Sequence, residues 1–130
     1  MEDKLKIAKT PLRKYPEISK NLGIELWIKH DDEIPRACGG NKVRKLYRIL
    51  NDSIKFKYNA IVTSGGIFSN HIRSVALLAA EKGWKARIII HDRKPLVLTE
   101  NLKIAYLAGA KITFCKLCNV KIAMDKAMNE

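Results

Sequence analysis

The stretch Ala60-Ile61-Val62-Thr63-Ser64-Gly65-Gly66-Ile67-Phe68-Ser69-Asn70-His71 decides the fold. It opens with a short β-branched run that stops at two glycines, as a buried strand does on entering a tight turn. Ser69 and Asn70 are good helix caps, and beyond them Ile72, Val75, Ala76, Ala79 and Ala80 predict a helix with a narrow buried stripe. Gly83 closes that helix, and Ala86-Arg87-Ile88-Ile89-Ile90 reads as a second buried strand. The alternation then repeats. Residues 99–108 read as a helix with Leu102, Ala105 and Tyr106 on one face, Gly109 ends it, and Lys111-Ile112-Thr113-Phe114-Cys115 reads as a further strand. Residues 120–128 are predicted helical. Strands and helices alternating at this spacing require crossover connections, so the expected fold is α/β, a parallel sheet with helices on both faces.

Upstream, Glu25-Leu26-Trp27-Ile28-Lys29 reads as a strand running into the polar loop that begins His30-Asp31-Asp32-Glu33 and continues to Gly39-Gly40. From Asn41, Val43, Leu46, Tyr47, Leu50 and Ile54 fall at helical spacing, while Arg44, Lys45, Arg48 and Lys55 lie mostly off that stripe. An amphipathic helix with a basic outer face is expected.

Composition narrows the function classes. With 47% hydrophobic and 29% charged residues, the 130-residue chain is ordinary globular material rather than disordered or collagen-like. Its 25 Lys and Arg against 13 Asp and Glu give a net charge of +12, which favours anionic ligands in general. No run approaches the about 18 apolar residues of a membrane span, and the lysine-broken opening MEDKLKIAKTPL has no signal-peptide core. The three cysteines, Cys38, Cys115 and Cys118, are too few and too uneven for a disulfide framework. These features predict a cytoplasmic protein with no membrane partner.

Two stretches can carry chemistry. Ligands of open parallel sheets bind outside the carboxyl ends of the strands, where residues 64–71 are expected. There the glycines Gly65 and Gly66 permit close backbone approach, first-turn amides suit a carboxylate or phosphate oxygen, and Ser69, Asn70 and His71 add side-chain donors. The same pattern also serves as a plain strand-to-helix turn with a serine cap. In Gly39-Gly40-Asn41-Lys42-Val43-Arg44-Lys45-Leu46, Lys42 stands at a helix start, where a positive charge is disfavoured, a setting suited to a Schiff-base lysine or a lysine base. The P-loop spacing is absent, and a solvated lysine is the bland alternative. Cys115-Lys116-Leu117-Cys118 is a single CxxC without other thiol-redox features, and no zinc-finger spacing links the cysteines to His30, His71 or His91, so no metal site is expected. The basic residues are dispersed and match no nucleic-acid motif, so no specific nucleic-acid partner is expected.

Taken together and in this order, GGNKVRKL and TSGGIFSNH resemble the D-cysteine desulfhydrase and 1-aminocyclopropane-1-carboxylate deaminase family of pyridoxal-phosphate enzymes. Thr10-Pro11-Leu12, residues 15–19, Leu22-Gly23, residues 25–29 with Asp31-Asp32, Glu100-Asn101-Leu102 and Leu107-Ala108-Gly109-Ala110 extend the similarity over nearly the whole chain. The resemblance implies part of the fold type II, tryptophan synthase beta-like architecture, with residues 1–50 from the large domain and 51–130 making most of the small one. It implies pyridoxal 5′-phosphate as cofactor. Lys42 matches the lysine that holds it covalently and then moves the substrate proton. Asn70 matches the asparagine near the cofactor's 3′ oxygen, and Asn41 a supporting position beside the lysine. Ser69, Asn70 and His71, with the amides after Gly65 and Gly66, match the group that grips the substrate carboxylate. The implied activity is a deaminating lyase acting on a small amino acid such as D-cysteine, giving pyruvate, sulfide and ammonia, or on 1-aminocyclopropane-1-carboxylate. The alternative is a non-catalytic fragment or subunit of such an enzyme.

Family members are more than about twice this length, and their cofactor-phosphate loop and ring-nitrogen partner fall in the later half. Residues up to about Leu50 are accordingly expected to lack their covering sheet and to expose apolar surface, with a homo-oligomer or a complementary C-terminal fragment as partner. His30 stands where arginine is common in the family, and the loop at residues 33–38 looks short or altered.

Overall fold

The computed structural model describes residues 9–130; residues 1–8 of the opening segment and the side chain of Ile54 lie outside the described part. Strands β3 (Ala60–Gly65), β4 (Lys85–Ile90) and β5 (Lys111–Phe114) form a parallel sheet in the order β3-β4-β5. Ala60 is registered against Lys85 and Gly65 against Ile90, while Arg87 lies against Lys111 and Ile90 against Phe114. Crossovers run through α3 (Asn70–Glu81) and α4 (Glu100–Leu107), and α5 (Val120–Met128) follows the last strand.

The sheet is covered on both faces, as expected, and β4 shows why its sequence is nearly continuous apolar. Ala86, Ile88 and Ile90 point to one side and join Ile72, Ala76 and Ala79 of α3 and Leu102 and Ala105 of α4 in a buried core. The alternate residues Arg87 and Ile89 face the other side, where Arg87 and Lys111 line a cleft with Ala123 and Ala127 of α5.

Helix α2 (Asn41–Lys55) adds a second layer. Its stripe Val43, Leu46, Tyr47 and Leu50 packs with Ile34 and Ala37 against Val75 and Leu78 of α3. The stripe Val43, Leu46, Tyr47 and Leu50 is therefore covered within this chain, contrary to the expectation that it waits for an external sheet, whereas Ile49 is exposed. Placing α3 between the sheet and α2 also widens its buried face. Ser74 and Leu78 are buried alongside Ile72, Val75, Ala76 and Ala79, whereas Ala80, expected in the stripe, is exposed. On α4 the buried edge runs through Leu102 and Ala105 towards Ala108, which leaves Tyr106 on the far side of Leu102 and 67% exposed.

The N-terminal part is a two-stranded antiparallel unit, β1 (Leu12–Lys14) with β2 (Trp27–Lys29), connected by α1 (Pro16–Leu22). The predicted strand at residues 25–29 is thus shorter than read, and β1 and α1 are elements that its pattern did not reveal. Leu12, Ile18, Leu22, Ile24, Trp27 and Ile28 are all exposed in this unit. No helix among the described residues is long and apolar enough to cross a membrane.

Candidate active site

The loop after β3 is fixed by side chains from the segment that follows β4. Asp92 Oδ2 accepts from the Ile67 amide at 2.9 Å, and Thr99 donates its hydroxyl to the Ile67 carbonyl. Asn101 Nδ2 donates to the Phe68 carbonyl at 2.9 Å and to Asn70 Oδ1 at 3.1 Å. Spacing within the loop could not reveal these partners, which lie 25 to 33 residues away. Neither Gly65 nor Gly66 has a positive φ. Space decides their identity: a Cβ on Gly65 would lie 2.8 Å from Ile72 Cγ2, and one on Gly66 would lie 3.0 Å from Asp92 Oδ2.

Ser69 caps α3, its Oγ accepting from the His71 amide at 3.2 Å. The set of amides open to an anion is narrower than the sequence suggests. Ile67 donates to Asp92, Ser69 to the Gly66 carbonyl at 3.1 Å and His71 to Ser69. The amides of Phe68 and Asn70 make no hydrogen bond among the described residues. Because Asn101 occupies Asn70 Oδ1, the free end of the Asn70 amide is its Nδ2 donor. What the loop presents is a donor set: two amides, the Ser69 hydroxyl and Asn70 Nδ2. Such a set fits carboxylate or phenolate oxygen.

His71 is half-buried, and its Nε2 lies 2.9 Å from Thr63 Oγ1 on β3. Burial pushes its pKa below the ordinary histidine value, and the charges of Lys42 and Lys45 push it further the same way. Lys42 lies on α2, whose apolar stripe packs against Val75 and Leu78 of α3.

Lys42 is the second residue of α2 and is partly buried; Asn41, the first, is exposed, and its side chain makes no hydrogen bond among the described residues. The entry to α2 is held by Asp31. Arg44 donates to it bidentately, Nε to Oδ2 at 2.7 Å and Nη2 to Oδ1 at 2.6 Å, and the Thr10 hydroxyl donates to Oδ1 at 2.8 Å. These bonds hold the Asp31 carboxyl at about 2, well below the usual carboxylate range, Arg44 contributing most and Thr10 next. Arg44 is therefore a tether rather than part of a solvated basic face. The Asp31 carbonyl accepts from the Gly40 amide at 2.6 Å, and a Cβ on Gly39 would lie 2.3 Å from the Asp32 carbonyl oxygen. Four successive residues, Ala37, Cys38, Gly39 and Gly40, take positive φ values of 48°, 61°, 64° and 92° in the turn that delivers Lys42.

The remaining candidates have other duties. Among the described residues, His30, Asp32 and Glu33 alone are close enough to share an ion, but His30 Nε2 lies 2.6 Å from Tyr15 Oη and Glu33 pairs with Arg13. All three cysteines are free thiols. A cleft of about 570 Å³ beyond β4 and β5 is lined by His91, Asp92, Arg93, Lys94, Cys115 and Lys116 and adjoins the Gly66 loop through Asp92.

With this geometry in view, comparison with known proteins is direct: residues 4–129 match the pyridoxal-phosphate dependent enzyme family. The chain belongs to that family. It is 36% identical over 121 residues to a D-cysteine desulfhydrase of Yersinia pestis (strain Pestoides F), covering 93% of this chain and 35% of that protein. A D-cysteine desulfhydrase of Salmonella paratyphi B is also 36% identical, over 95% of this chain and 36% of its own length. The chain therefore spans about a third of the length of the curated relatives it matches. The crystal structure of an ACC deaminase homologue superposes with a TM-score of 0.81 at 27% identity, over 94% of this chain and 38% of its own. A hydrogen sulfide-producing enzyme from Fusobacterium nucleatum shares the fold, with a TM-score of 0.68 at 21% identity over 95% of this chain and 39% of its own. The family depends on pyridoxal phosphate, and the partly buried Lys42 amine with the donors of residues 68–70 suits that group's aldehyde and anionic oxygens.

Proposed function

We propose that this chain supplies the lysine-bearing and carboxylate-gripping half of a pyridoxal-phosphate-dependent deaminating lyase that acts on a small amino acid such as D-cysteine or 1-aminocyclopropane-1-carboxylate. The observation that carries the reading is the match of residues 4–129 to the pyridoxal-phosphate dependent enzyme family, supported by the packing of α2, which Lys42 helps open, along α3. When bound, pyridoxal phosphate supplies an electron sink for the carbanion at the substrate Cα.

The residues of this chain do the rest. Lys42 Nζ would hold the cofactor and serve as the base that takes the Cα proton. Asn70, held by Asn101 through Oδ1, would offer Nδ2 to the cofactor's ring oxygen, and Asn41 would support the lysine turn. Ser69 and His71, with the open amides of Phe68 and Asn70, hold the substrate carboxylate; Gly65 and Gly66 let the loop pack closely enough to present them. We assign Ser69 a catalytic part as well, its hydroxyl exchanging a proton with the reacting carbon. For D-cysteine the sequence of events is loss of the Cα proton, departure of sulfide from Cβ, and hydrolysis to pyruvate and ammonia.

We assign residues 1–50 to the N-terminal part of a large domain and 51–130 to most of a small one. The exposed apolar side chains of residues 12–28 support a partner, either a complementary C-terminal polypeptide or a second copy of the chain. The free thiols suit a reducing, cytoplasmic setting. Sulfide and pyruvate release from D-cysteine, assayed with pyridoxal phosphate in the presence and absence of the C-terminal two-thirds of a relative, tests the reading. Turnover that needs Lys42 is the expected result, and Lys42-independent turnover would contradict it.

A further inference from the structure

His71 has a second partner whose role no motif indicates. Its Nε2 meets the Thr63 hydroxyl at 2.9 Å, and its Nδ1 makes no hydrogen bond among the described residues. A hydroxyl can donate or accept, and a neutral imidazole has one nitrogen of each kind, so the contact alone permits two tautomers.

The surroundings select between them. His71 lies in the first turn of α3, where the helix dipole opposes a positive charge. From α2, Lys42 and Lys45 oppose it as well; from β3 the facing group is the uncharged Thr63. No carboxylate hydrogen-bonds the ring among the described residues. A neutral imidazole results, with one N–H to place. The loop that leads into it presents open donors: the amides of Phe68 and Asn70, the Ser69 hydroxyl and Asn70 Nδ2. A bare Nδ1 lone pair would repel any anion that these donors attract, whereas an Nδ1–H would join them. Nε2 must then accept, and Thr63 donate. A strand threonine is stiff about χ1, so its hydroxyl is a fixed reference for the ring.

We infer that Thr63 is a positioning residue that holds His71 as the Nδ1–H tautomer, giving the site an uncharged donor for an anionic group. The anion is the substrate carboxylate, a step that rests on the function proposed above. The consequence is that His71 takes up its second proton at a lower pH than an ordinary histidine does.

Long-range ¹H–¹⁵N correlation spectra of the full chain, labelled at histidine and compared among wild type, Thr63→Ser and Thr63→Val, test this. Wild type and Thr63→Ser are expected to show a protonated Nδ1 and an accepting Nε2 at neutral pH. Thr63→Val is expected to move the proton towards Nε2 and to weaken D-alanine binding roughly tenfold, the scale of one lost hydrogen bond. A proton on Nε2 in wild type overturns the inference whether or not Thr63→Val folds, and so does a Thr63→Val spectrum identical to wild type. An Nδ1–H ring whose signals ignore D-alanine supports the Thr63 role and instead removes His71 from the carboxylate site, so the two readings fail separately.

Discussion

Gly65 packs its backbone so tightly against α3 that a Cβ would lie 2.8 Å from Ile72 Cγ2 and 3.1 Å from Ser69 Oγ. Gly65→Ala is therefore expected to cost about 1–3 kcal/mol through overpacking, read from urea midpoints, and to disturb the Ser69 cap. Cys38 presents the opposite case, an exposed side chain on a left-handed backbone with φ 61°. Such a residue is strained by roughly 1–2 kcal/mol, part of which glycine returns as unfolded-state entropy, so Cys38→Gly should stabilise the chain by about 0.5–1 kcal/mol in the same measurement. Asp31 makes acid sensitivity predictable. Its folded pKa of about 2 lies below the unfolded value of about 3.9, so its contribution is complete above pH 4 and is lost as pH falls through about 2. Urea midpoints taken from about pH 5 down to about pH 2 should fall in that window for wild type and fall less for Asp31→Asn. At this scale the sequence revealed Ser69, Asn70, His71 and Lys42 as candidates, because glycines and caps are local signals. It could not reveal that Asp92 consumes the Ile67 amide or that Arg44 serves Asp31, because those partners meet only in three dimensions.

Helix α2 carries Lys42, and what locks α2 is its stripe against α3. Leu46 and Leu50 are 2% and 1% exposed, and truncating either to alanine should cost about 2–5 kcal/mol in thermal or urea unfolding. Hydrogen exchange should show the loosened helix as faster exchange over residues 41–55 than over β4. Elements with long periodic patterns were legible: α2, α3, β3, β4 and α5 fall where their hydrophobic spacing puts them. Strand β2 was read two residues too long, the three-residue β1 carries too few positions to show a period, and the Pro16 start and Gly23 stop of α1 were punctuation without an apolar stripe between them. Tyr106 and Ala80 were misplaced for a related reason. A stripe read from sequence has no fixed centre until the neighbouring helix is known.

The whole molecule divides into a parallel sheet with two cores and a thin N-terminal unit whose strands are exposed throughout. An isolated two-stranded ribbon is marginal in water, and Leu12, Ile18, Leu22, Ile24, Trp27 and Ile28 leave it with an uncovered apolar surface. The purified chain is expected to bind a hydrophobic dye and to associate with rising concentration; sedimentation that stays monomeric, with no dye binding, would contradict this. The parallel sheet and its covered faces were legible from the alternation of elements, while the exposed unit was foreshadowed by the resemblance to a family of longer chains.

The central claim is that Lys42 and the α3 N-terminus form one cofactor site. Borohydride reduction of the chain with pyridoxal phosphate, followed by peptide mass mapping, tests it most directly. The account predicts a phosphopyridoxyl mass on the peptide carrying Lys42, abolished in Lys42→Ala. A label scattered over the exposed lysines, or centred on another one, would contradict it.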